Sequence, residues 1–163
     1  MENLSKSYQL ETGCCPIFNP EPWDGQEHEW RRKLFIKRHI PAVFHIPLGF
    51  GRIFTTAWKI LQKNEAIPVT PMWLSEEKSA WGSDLLLEST KDLPGEDMVQ
   101  LSGTFFTKMF EGSYRNIPTW LKEMQRLIEV RGKKIERLYF WYTTCPKCAK
   151  IYGKNYVVLV AKI

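Results

Sequence analysis

The sequence predicts an α+β fold. It is read as two strand-helix-strand-strand halves with pseudo-twofold symmetry, an antiparallel sheet with helices on one side, and an aromatic cleft between the halves. Three observations predict it. Two amphipathic stretches with helical spacing, one from Phe50 and one from Ile117, each stand between strand-like runs. The string "WGSDLLLES" from Trp81 matches "YGKNYVVLV" from Tyr152 at an offset of 71 residues. In the same order, "IPLGF" before the first helical stretch parallels "FEGSY" before the second.

Residues 1–32 read as an extended N-terminal arm, because "CCPIFNPEPWDGQ" holds turn residues and no periodicity. Ile17, Phe18 and Trp23 are its expected anchors. The domain proper then covers 33–163, with halves at about 33–92 and 97–163. Lys33–Ile46 is rich in aromatic and branched residues and predicts one strand or a bent pair. Phe50, Phe54, Ala57 and Leu61 recur at steps of four, three and four, which is one helix face. Pro68 ends that run, since proline cannot continue the hydrogen-bond ladder.

Val69–Ser75 and Trp81–Thr90 are the next predicted strands, and "KDLPGED" separates the halves. Val99–Phe110 is a strand region with a glycine bend. Pro118 sits in the first turn of the second helix, where its missing N–H costs nothing. Ile117, Trp120, Leu121, Met124, Leu127 and Ile128 form that helix's apolar stripe, and Gly132 stops it. Ile135–Thr143 and Asn155–Ile163 are the last strands.

Composition narrows the function classes. The 163 residues are 44% hydrophobic and 13% aromatic, with seven Trp, so a core can form with rings to spare for a cavity. The net charge of +5 is dispersed and no nucleic-acid reading element is present, so nucleic acid is not an expected partner. No run of 18 apolar residues exists, so no membrane-spanning helix is expected, and a membrane is not an expected partner. The N-terminus lacks the pattern of a signal peptide, and the expected location is cytoplasmic. A monomer is the expected state.

The segment "SGTFFTKMFEGSYRNIPTWLKEMQRLIEVRGKKIERLYF" carries a family resemblance. A glycine-bent strand, Phe-x-Gly-x-Tyr, a Trp-bearing helix, a glycine stop and an aromatic strand resemble the GyrI-like (gyrase-inhibitor-like) small-molecule-binding family. The resemblance covers roughly 33–163. It implies a cleft between the halves that binds a small, flat, apolar or aromatic molecule. It also implies two alternatives: a hydrolase acting on a reactive small molecule in that cleft, and an interaction protein that antagonises gyrase or a toxin. Sequences similar in "WGSD", "FEGSY" and "TTCPKCAKIYGKNYVV" carry a generic hydrolase label. Multidrug-binding relatives place a glutamate in the strand after the second helix, whereas this strand reads Leu138, Tyr139, Phe140, Trp141, Tyr142.

Candidate walls of the cleft are Trp73, Trp81, Phe110, Tyr114, Trp120, Tyr139 and Trp141. Trp120 lies on the helix stripe, where core packing competes with that role. Tyr139 and Trp141 share one strand face and Leu138, Phe140 and Tyr142 the other. Glu111, at the end of an apolar strand, is the leading candidate acid–base group. Glu76 and Glu77, between Trp73 and Trp81, are the second. His45, between Phe44 and Ile46, reads as a hydrogen-bonded core histidine. No G-x-S-x-G elbow supports a serine triad.

Cys145 and Cys148 form a Cys-x-x-Cys near the C-terminus, too late in the chain for a thioredoxin topology. With Cys14 and Cys15 they make four thiols. Three readings stay open: a zinc site, a reversible disulfide between arm and hairpin, or plain thiols. No other cofactor is expected.

Overall fold

The computed structural model describes residues 18–143, 153 and 155–163. The elements are β1 (Gln26–Val43), β2 (Ile46–Pro47), α1 (Phe50–Lys63), β3 (Trp73–Ser79), β4 (Gly82–Ser89), β5 (Met98–Glu111), α2 (Ile117–Val130), β6 (Arg137–Tyr142) and β7 (Tyr156–Lys162). The architecture is α+β, with antiparallel ladders and two helices. The chain divides into two compact units. One is Glu29–Gly103; the other joins the chain up to His28 with Thr104–Ile163. Both β1 and β5 run from one unit into the other.

In the Glu29–Gly103 unit, β4 lies between β1 and β3. Leu85 and Leu87 of β4 point to α1, with Ile36 and Ile40 of β1 and with Ala57 and Leu61 of α1. Helix α1 starts at Phe50 as predicted and ends at Lys63, ahead of Pro68. Its buried residues are two of the four that set the periodicity, Ala57 and Leu61, while Phe54 is half-buried and Phe50 exposed. Strand periodicity then fixes the other face. Phe35, Lys37 and His39 of β1, and Asp84, Leu86 and Glu88 of β4, point away from the helix.

In the other unit, β7 lies between β5 and β6. Phe106, Phe110, Phe140, Val157, Leu159 and Ala161 pack under Trp120, Met124 and Ile128 of α2. The chain enters this unit after Gly103, whose φ of 122° suits only glycine.

Three local expectations need correction. β1 begins at Gln26, inside the stretch read as arm: Trp30 is already buried there, and Arg32, at a positive φ of 50°, breaks the alternation between it and Phe35. β3 begins at Trp73 and runs through Glu76, Glu77 and Lys78. Val69 is exposed and Pro71 has no N–H to give, so the strand starts later than predicted and runs past the predicted end at Ser75. His45 is exposed, not a core histidine: with Phe44 it forms the two-residue turn between β1 and β2, and it pairs with Glu77.

Candidate functional site

The helix-free face of the Glu29–Gly103 unit holds a row of polar side chains. Register places His39 of β1 opposite Asp84 of β4, and Glu76 of β3 opposite Asp84 on its other side. Asp84 is 9% exposed, a depth at which a carboxylate needs compensating partners. It has three. His39 Nδ1 lies 3.4 Å from Oδ1, while Lys78 Nζ lies 3.8 Å and Lys37 Nζ 3.9 Å from Oδ2. Lys78, at an irregularity in the β3–β4 pairing, also lies 3.1 Å from Glu76.

The two partners of the His39–Asp84 pair differ in access. The Asp84 side chain is 13% exposed and that of His39 is 63% exposed. When Nδ1 donates its proton to Asp84, Nε2 is the basic nitrogen. Gly82 makes this possible. A Cβ there would stand 2.4 Å from His39 Cε1 and 2.8 Å from Nε2, so only glycine leaves the imidazole its place. The Gly and Asp of "WGSD" therefore act together: one clears the ring's seat and the other orients it.

Glu88, on the same face, is committed to structure. It accepts from Lys33 Nζ at 2.5 Å and from the Met72 N–H at 3.1 Å.

Of the residues named from sequence, Glu76 belongs to this polar row and Glu77 does not. Trp73 points to α1 and meets Phe54 edge-on at 5.7 Å. Trp81 occupies the β3–β4 turn, 59% exposed, with the Phe44 ring at 5.2 Å. Phe110 and Trp120 stack at 5.4 Å in the core under α2. Tyr114 is exposed, edge-on to Tyr142 at 5.4 Å. Glu111 is exposed at the end of β5. Tyr139 and Trp141 are buried on the face of their unit turned away from α2, where Phe18 and Trp23 meet Trp141 edge-on at 5.3 and 5.1 Å. Leu138, Phe140 and Tyr142 take the α2 side. Cys14, Cys15, Cys145 and Cys148, and Ile17, lie outside the described residues.

A second histidine, His28, contacts the Thr107 hydroxyl at 3.0 Å under the Trp23 ring. Thr107 is fully buried and also 3.3 Å from the Gln26 carbonyl, which is the geometry of a satisfied core contact.

His39, Asp84 and Gly82 were not singled out from sequence as site residues. Two signals could have found them. Asp84 directly precedes the apolar run Leu85, Leu86, Leu87 of β4, and His39 shares strand parity with Phe35, which is fully buried.

The sequence pattern of a family described as bacterial hydrolase matches residues 5–163, and the chain belongs to that family. No curated protein matches it. Among solved structures it is similar to a hydrolase from Listeria innocua, with 13% identity and a TM-score of 0.61 over 85% of this chain and 90% of that one. It is also similar to an uncharacterized conserved protein from Listeria innocua, with 12% identity and a TM-score of 0.60 over 85% and 91%. At such identity the likeness shows the fold alone.

Proposed function

We propose that the chain hydrolyses a small molecule by activating water at His39. The observation that carries the reading is an exposed imidazole whose Nδ1 faces a buried carboxylate, over a glycine that alone leaves room for it. Nε2 takes a proton from water as the water oxygen attacks an acyl carbon. The negative charge developing on the acyl oxygen is met by the ammonium groups of Lys78 and Lys37. Collapse of that intermediate breaks the bond to the leaving group, which departs with the proton from Nε2. Asp84 keeps the imidazole in the productive tautomer and orientation.

Membership of the hydrolase family supports the reaction class. The GyrI-like resemblance supports a small, flat, largely apolar substrate. Incubation of a panel of aryl esters with the protein tests the reading. Consumption is expected, and His39→Ala is expected to lower it by roughly 10²–10⁴-fold. Saturable quenching of tryptophan fluorescence with no consumption would instead make the chain a binder.

A further inference from the structure

The Glu29–Gly103 unit carries an apolar tip that its own core does not use. Val43, Phe44, Ile46, Leu48, Phe50 and Trp81 are 37–72% exposed. They are gathered into one place: Val43 pairs with Ile46, the Phe44 and Trp81 rings touch, and Ala42 N–H donates to the Trp81 carbonyl. Together they expose on the order of 500 Å² of apolar surface, the upper range for a monomer. The turn that presents them is strained. Phe44 and His45 both have positive φ, 48° and 67°, at two positions where Asn-Gly is usual.

Helix α1 starts at this tip, with Phe50 its first residue. Arg52, Lys59 and Lys63 are exposed and fall at i, i+7 and i+11, one face of the helix. No acidic residue occurs in α1. An exposed apolar tip carrying Trp and Phe, with a basic stripe on the outer side of the helix that starts there, fits a fluid apolar layer under anionic headgroups. A second copy of the chain fits less well, because a twofold contact through the tips would bring two basic stripes together.

We propose that this tip is a docking surface for an anionic lipid bilayer: the side chains around Phe44 and Trp81 enter the interface and the α1 cations meet the headgroups. No described helix is long and apolar enough to cross a membrane, and none is required for contact at its surface. This inference is independent of the hydrolytic reading.

Co-sedimentation of the full chain with vesicles tests it. The protein is expected to sediment with equal parts phosphatidylcholine and phosphatidylglycerol, and not with phosphatidylcholine alone. Raising the salt should release it. Phe44→Ser with Trp81→Ser should weaken binding by roughly tenfold or more. Arg52→Gln with Lys59→Gln and Lys63→Gln should weaken it by on the order of a hundredfold. All five residues are exposed, so unchanged thermal melting is expected and separates lost docking from lost folding. Wild-type protein left in the supernatant with the mixed vesicles would overturn the proposal. So would binding that survives both sets of substitutions, or a concentration-dependent dimer that Phe44→Ser abolishes.

Discussion

Gly82→Ala isolates the relation between the histidine and its seat. The added Cβ would lie 2.4 Å from His39 Cε1, so the ring must withdraw by about 1 Å to reach ordinary contact. The Nδ1–Asp84 separation is already 3.4 Å, and a further displacement ends the hydrogen bond. A misplacement of this size costs on the order of 10²-fold in rate. Stability should change by no more than about 1 kcal/mol, since the ring is mostly exposed and can swing into water. The assay is kcat/KM on the best ester of the panel, with thermal melting in parallel. In a His39→Ala background, Gly82→Ala should cost far less, because the ring is gone and only the Ile40 carbonyl, 3.3 Å from the Cβ position, stays close. Gly51→Ala serves as the control: no atom lies within 4 Å of its Cβ position. The reasoning is refuted if Gly82→Ala keeps full activity, or if it loses as much without His39 as with it.

Other substitutions separate the roles of neighbouring groups. Asp84→Asn keeps the shape but not the charge that orients His39, and kcat should fall by roughly 10²–10³-fold with KM little changed, measured by steady-state kinetics. Glu88→Gln, on the same face, should leave kcat/KM intact and lower unfolding stability by about 1–3 kcal/mol in a denaturant titration, since Glu88 serves Lys33 and the Met72 N–H. Trp120→Ala removes a 6%-exposed ring stacked on Phe110 and should cost about 3–5 kcal/mol by the same titration.

Much of the fold was legible because its helices are strongly periodic. Ala57 and Leu61 in α1, and Trp120, Met124 and Ile128 in α2, are buried where the spacing places them. Strand ends were harder to read. The charged Glu76–Glu77–Lys78 run lies beyond the predicted strand, but Glu76 stands opposite Asp84 in the ladder and Lys78 pairs with both carboxylates, so the strand carries the run. Aromatic residues were the least legible. Trp73, Phe110 and Trp120 each fit a cavity wall by type, and the register that turns them toward a helix depends on strand partners distant in sequence. The polar row was half visible. Glu76 stood out as a carboxylate among rings. His39 did not, because its pairing with Asp84, 45 residues away, follows only from the β1–β4 register.

Chemical rescue of His39→Gly tests the central claim most directly. Removing the side chain should lower ester hydrolysis by roughly the same 10²–10⁴-fold as His39→Ala and leave a space beside Gly82 and Asp84 that imidazole can occupy. Free imidazole is then expected to restore turnover to His39→Gly saturably, and to restore little in His39→Gly combined with Asp84→Asn. A His39→Gly protein that hydrolyses the ester at the wild-type rate without imidazole would contradict the account.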